Sequence, residues 1–394
     1  MCYRKVMKSL LRLIIVALFL VSGVASAQEL YQDVQETVRA RVESVREDEN
    51  RLVPGTQVTT PYQKLLVEVL EGAAAGRSVE IENDYVRVDA GDSIFIHRLQ
   101  TIDGSEIFMF GEPDRSAPIL FFTFLFLVVI IAFGGWQGIR GLVSLAGSVL
   151  LIIYALLPAV LAGYSPIFVS IAVASLIILV GSYVTHGFNR STTSAVLGMI
   201  FTIIITGILA YVSVRWGMLT GYGDEHAMYL NLNARGAIDL SGLLLGAIII
   251  GLLGVLYDSA IGQSVAVDEL HAAGPHLTRQ EIFRKATRIG REHIGALVTA
   301  LAIAYVGAAL PLLLLFYQSD MGILSILNRE IMATEIMRTL VGSIGLILAV
   351  PVTTLISILL IVRPNSLPGG PSEKLSHQGH AHAHSHSHSH HRHQ

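Results

Sequence analysis

Residues 117–135 read APILFFTFLFLVVIIAFGG, nineteen residues without a charge. At 1.5 Å of rise per residue, a helix of this length crosses a hydrocarbon core of about 30 Å. Further apolar runs follow near 142–162, 167–185, 193–214, 237–257, 295–317 and 336–362. Across all 394 residues, 52% are hydrophobic and 14% are charged, with mean hydropathy +0.59. A soluble globular chain carries about 25% charged residues. The pattern predicts an α-helical polytopic membrane protein with about seven transmembrane helices and the lipid bilayer as its first partner. Small residues recur in the runs, as in GLLLGAIIIG at 242–251, and let membrane helices approach closely. Pro158, Pro311 and Pro351 predict kinks.

Upstream, Arg4, Lys5, Lys8 and Arg12 precede an apolar run from Leu13 to Val24 and the small residues Ala25-Ser26-Ala27. This is the pattern of a signal peptide over residues 1–27, or of a signal anchor if it stays uncleaved; both export residue 28 onward. Residues 28–116 are polar. TVRARVESV (37–45), KLLVEVLEG (64–72), RSVEIEN (77–83) and DSIFIHRL (92–99) alternate apolar and polar positions between turn residues. That period of two predicts a small extracytoplasmic all-β domain, a twisted barrel or a sandwich. The single cysteine, Cys2, excludes a disulfide framework and a thiolate metal site.

Loop charges set the expected orientation. Seven spans after an exported domain leave the C-terminus inside. The inner segments then carry Arg140, Arg190, Arg279, Arg284, Lys285, Arg288, Arg291, Arg363 and Lys374, against Arg215, Arg235, Arg329 and Arg338 outside. This asymmetry follows the positive-inside rule and predicts a bacterial inner-membrane protein with a cytoplasmic C-terminus.

The span at 237–257 keeps its helical character to Ala273. Asp258 and Glu269 are eleven residues apart, about three turns plus 20°, so one helix puts both on one face, with Gly262 between them and Gln263 and His271 nearby. Carboxylates at membrane depth mark ion or solute paths; the alternative is that Asp258 ends the helix at the interface. Next, HLTRQEIFRKATRIGREHIG (276–295) pairs Thr278 with Glu281 as a capping box. It repeats Arg284, Arg288 and Arg291 along one edge. This basic amphipathic helix predicts anionic-lipid contact, with substrate binding as the alternative. His293 opens the following span. In THGFNRST (185–192), His186, Asn189 and Arg190 either line a cavity or make a tight turn. Glu335 and Arg338 stand at i, i+3, a spacing for an ion pair. No phosphate loop, zinc-protease motif, nucleophile elbow or CxxC is present, so no enzyme and no required cofactor are expected. The net charge of −3 argues against a nucleic-acid partner.

LLPAVLAGYSPIFV (156–169), VTHGFNRSTTSAVLGM (184–199), LLLGAIIIGLLGVLYDSAIGQSVAVDELH (243–271) and TEIMRTLVGSIGLILAVPVTTLIS (334–357) together resemble the YibE/F family of multi-pass membrane proteins. The resemblance covers about 118–363, within an expected transmembrane domain of 117–363. The positions that match the family's polar motif residues are His186, Asn189, Arg190, Asp258, Gln263, Glu269, Arg291, His293, Glu335 and Arg338. The resemblance implies a multi-pass membrane domain without fixing a biochemical activity. Residues 364–394 lie beyond it and form an expected disordered tail, with nine of the fifteen histidines between His377 and His393. Imidazoles at His380, His382, His384, His386, His388, His390 and His391 predict weak zinc, nickel or copper binding. Three functional readings stand at this point. The first is a permease-like transporter or a component of one, with Asp258, Glu269 and Arg291 at the head of its polar path. The second is an assembly or sensor protein, whose exported domain binds an envelope protein or a second copy. The third is a metal-responsive transporter that uses the tail.

Overall fold

A computed structural model gives the fold of residues 34–362, apart from 102–104, 224, 235 and 237. The signal-peptide reading at 1–27 and the metal-binding reading of the histidine tail fall outside the described residues. The chain divides after Pro158 into two compact units.

The first unit opens with a five-stranded antiparallel sheet: β1 (Val34–Leu52), β2 (Thr59–Val69), β3 (Ser78–Asn83), β4 (Ser93–Gln100) and β5 (Glu106–Pro113), in the order β3-β2-β1-β4-β5. The nineteen residues of β1 pair with β2 through Ala40–Leu52 and with β4 through Val34–Arg41. Register shifts between Val42 and Ser44, and between Val45 and Glu47, bulge this long strand and increase its twist. Alternate side chains meet on one face, where Val38, Ala40, Val42, Leu65, Val67, Ile81, Ile94 and Ile96 are buried. The sheet curls into a half-barrel. Arg77, just before β3, reaches Glu106 of β5 at 2.6 Å. Gly72 has φ +79°, and a Cβ there would fall 2.5 Å from Glu36 Oε1, so the EGAAAGRS turn needs glycine. The strand β5 joins the four expected from alternation. It contains no fully buried residue, and its register slips opposite Phe95 and Ile96, which weakens the period-two signal.

Long apolar helices follow: α1 (Ser116–Leu161), α2 (Pro166–His186), α3 (Arg190–Trp216), α5 (Leu240–Ala273), α6 (Arg279–Ala308) and α9 (Glu330–Ile361), with α4 (Glu225–Asn233), α7 (Leu310–Tyr317) and α8 (Ile323–Leu327) as short connectors. Among the described residues, six helices are thus long and apolar enough to cross a membrane. The seven expected runs fall on these six helices because α1 takes in both 117–135 and 142–162. Its two parts are separate helical segments: the chain breaks at Gly135 (φ 52°, ψ −137°) so sharply that a Cβ on Gly138 would overlap the Ile130 carbonyl oxygen, which in a straight helix would be about 12 Å away. A π-helical turn at Ile152–Leu156 ends two residues before Pro158, whose ring removes a helical N–H. Pro311 sits in the first turn of α7, where proline is tolerated. The helix α9 continues through Pro351.

In the second unit, α3, α5 and α9 pack around Ala195, Met199, Ile203, Ile249, Leu252, Leu256, Leu346 and Ala349. Glycine makes this approach close: a Cβ on Gly198 would overlap Thr353, one on Gly246 would overlap Ser170, and one on Gly345 would overlap Thr206. Without a hydrophobic drive in lipid, such contact is the main attraction between helices.

Candidate functional site

The first turn of α9 carries the best-formed site. Glu330 accepts hydrogen bonds from the Thr220 backbone N–H at 2.7 Å, the Thr220 hydroxyl at 2.8 Å and the Gly221 N–H at 2.8 Å. The loop after α3 is thereby stapled to α9. Gly221 has φ +81°, and a Cβ would lie 2.6 Å from the Leu240 carbonyl oxygen, so only glycine fits. Beneath the staple is a cavity of about 550 Å³. Its apolar walls include Leu240, Leu243, Leu244 and Ala247 from α5. Its polar groups are Tyr305 of α6 and Thr334, Glu335 and Arg338 of α9.

Glu335 and Arg338 form the ion pair that their spacing predicts, at 2.9 Å, with each side chain 26% exposed. Arg338 Nε is buried and has no hydrogen-bond partner. Because Arg338 lines the cavity, the exposed part of its guanidinium can bind a further acceptor there with charge assistance. Arg338 is eight residues from Glu330, about 12 Å along the helix. This pair is therefore held within the bundle rather than at a helix tip.

The other expected residues are not gathered into one site. The continuous α5 does put Asp258, Gly262 and Glu269 on one face, and all three are exposed. From Leu240, Asp258 lies about 27 Å and Glu269 about 43 Å along the axis, against a hydrocarbon core of about 30 Å. No ion pair joins either acid to Arg291, which is exposed on α6. Gln263 faces the opposite way and is 4% exposed. Its Nε2 donates to the Ala286 carbonyl at 2.8 Å and to Thr354 Oγ1 at 2.7 Å, tying α5 to α6 and α9.

Beside Gln263 runs a seam of hydroxyls that the sequence reading missed. Ser264 donates to the Ser191 carbonyl at 2.7 Å and lies 2.6 Å from Ser194 Oγ. Ser357 donates to Ser194 Oγ at 3.0 Å. Three helices, α3, α5 and α9, meet in this seam. Serines have no hydropathy signal of their own; only the burial of Ser194, Ser264 and Ser357 reveals them.

Asn189 is the N-cap of α3. Its side chain accepts from Thr192 N–H at 2.6 Å and donates to the His186 carbonyl at 3.2 Å. The loop is thus a tight turn, and an open pocket beside it is lined by Phe188, Asn189, Arg190, Thr193 and Leu360. His186 ends α2, its ring 5.9 Å from Tyr257. His293 is exposed, with Nδ1 3.2 Å from the Ile289 carbonyl. The capping box of α6 forms as expected, between Thr278 and Glu281. Among the described residues, no three His, Cys, Asp or Glu side chains converge as a metal site requires.

No curated protein and no solved structure matches the chain. A family model described as YibE/F-like protein matches residues 122–363, from the apolar run that opens α1 to the end of α9. That match spans the helices, the stapled cavity and the seam, and the chain belongs to the YibE/F-like family.

Proposed function

We propose that this YibE/F-like protein is a permease-like transporter of the bacterial inner membrane, with the β-domain outside and the C-terminus in the cytoplasm. The observation that carries this reading is the Glu335–Arg338 pair in the wall of the cavity of about 550 Å³. Ionised groups inside an apolar bundle are costly, and they commonly mark solute or ion paths. The cavity volume suits a small organic molecule. In this scheme a solute acceptor competes with Glu335 for Arg338, and the loop stapled by Glu330 covers the site. The bias of lysine and arginine between loops supports the orientation.

Flux into proteoliposomes of the full chain tests the reading, using a panel of small carboxylates and amino acids together with a proton-sensitive dye. Arg338→Gln and Glu335→Gln are expected to lose flux at unchanged abundance and fold. Wild-type flux in both variants would overturn it. Flux lost only in Asp258→Asn or Glu269→Gln moves the path to the exposed face of α5.

A second reading, an assembly or sensor protein, draws on β5, where Ile107 and Met109 are 46% and 43% exposed on one face of the strand. An envelope partner or a second copy would cover them. Under that reading, Ile107→Ser with Met109→Ser abolishes function while Arg338→Gln remains active.

A further inference from the structure

We infer that the beginning of α6 is a headgroup site for an anionic phospholipid, an interaction independent of the transport reading. Arg284, Lys285, Arg288, Arg291 and Glu292 surround a pocket of about 480 Å³. All four cations are exposed, and none takes part in an ion pair among the described residues. Four cations against one carboxylate leave three positive charges around the pocket. Arg284, Arg288 and Arg291 repeat at i, i+4 and i+7, so they share one face over about 10.5 Å of helix axis.

This face is held outward by what happens on the opposite side. Ile282, Ala286 and Gly290 are buried, and the Ala286 carbonyl receives Gln263. Arg279 donates to the Val362 carbonyl at 2.8 Å, and the capping box fixes the first turn. The helix cannot turn the strip away without breaking these contacts.

Position along the chain selects the ligand. No charged residue occurs from Ile294 to Gln318, so the apolar span starts one turn beyond Arg291. The strip therefore stands at headgroup level. Guanidiniums recognise phosphate oxygens in pairs, and Ile289, 42% exposed, lies among them as a contact for the apolar part of a lipid. A phosphodiester that arrives with its own acyl chains satisfies both features; a soluble phosphate satisfies only the first. Glu292 opposes an anion and would favour an ammonium-bearing headgroup.

Native mass spectrometry of the full chain, released from micelles and titrated with phosphatidylglycerol or phosphatidylcholine, reads the site. Phosphatidylglycerol should be retained preferentially, and the preference should fall about fivefold for each cation removed, through Arg288→Gln to the triple variant Arg284→Gln/Arg288→Gln/Arg291→Gln. Glu292→Gln should raise phosphatidylglycerol retention. An unchanged preference in the triple variant overturns the inference. A weaker preference in Glu292→Gln also overturns it, because removing the one carboxylate from an anion site can only strengthen anion binding. Displacement of phosphatidylglycerol by inorganic phosphate overturns it in favour of a soluble anion. If the triple variant does not fold, the wild-type protein decides: a preference that does not fall between about 0.05 and 0.3 M ammonium acetate refutes an electrostatic site.

Discussion

Gly290 and Gln263 form a pair whose coupling can be measured. A Cβ at Gly290 would lie 2.5 Å from both Gln263 Oε1 and Val350 Cγ1. Gly290→Ala therefore overpacks the junction of α5, α6 and α9 by about 1–3 kcal/mol. Alanine's better helix propensity offsets up to about 1 kcal/mol of that, leaving a net loss of about 1–2 kcal/mol. Gln263→Ala removes the bonds to Ala286 and Thr354, worth on average about 0.6 kcal/mol each between membrane helices, and leaves a small void. In the Gln263→Ala background, half of the overlap at position 290 is gone, and the added methyl fills part of that void. The second substitution should then cost little, giving a coupling of about 1–2 kcal/mol. The assay is reversible unfolding of the full chain in bicelles, for wild type, both single variants and the double variant. If the two costs simply add, within about 0.5 kcal/mol, the close approach is not what makes glycine necessary there.

Three more expectations follow from local geometry. Gly221→Ala puts an L residue at φ +81° with its Cβ against the Leu240 carbonyl, a strain of at least 1–2 kcal/mol; protease cleavage in the loop Gly217–Gly223 should rise sharply, and unchanged resistance counts against the staple. Asn189→Ala removes the N-cap of α3 and should lower stability by about 1 kcal/mol, read as faster hydrogen exchange at Thr192; Asn189→Ser should restore most of it. Glu106 is held below the usual carboxylate range by the Arg98 guanidinium and then by that of Arg77. Its pairing therefore stabilises the β-domain above the unfolded-state carboxylate range and is lost as pH falls through the lower folded value. In the full chain the protection of β4 and β5 amides, taken relative to their intrinsic exchange rate at each pH, should fall with acid, and Arg98→Gln should flatten that dependence.

What could be read from the sequence was local. Thr278 and Glu281 are three residues apart, as are Glu335 and Arg338, and helical geometry alone brings each pair together. The strands around Val67 and Ile96 announced themselves by alternation against a half-buried sheet. The length of α5 beyond Asp258 was visible because its apolar character does not stop there. The orientation of that helix was not visible. Asp258, Gly262 and Glu269 share a face by simple angles, but whether it looks inward depends on α6 and α9. Those helices bury Gln263 instead, through a partner 91 residues away. The hydroxyl seam was hidden for the same reason, with Ser194 and Ser357 separated by 163 residues. The form of the junction inside α1 escaped because one glycine, Gly135, rather than a loop, divides the two expected spans.

The serine seam and the Gln263 bridge constrain how this bundle can move. Turning any one of α3, α5, α6 or α9 by a single residue sweeps its side chains through about 100°. That would strand buried hydroxyls or the Gln263 amide in hydrocarbon, where a missing partner costs several kcal/mol. These four helices consequently behave as one block, like tumblers that turn together or not at all. Any cycle of opening and closing must leave that block intact and be sought at its edges: in the loop hooked onto Glu330, at the Gly135 kink, and in the approach of α2, which Tyr183 ties to Thr193 of α3.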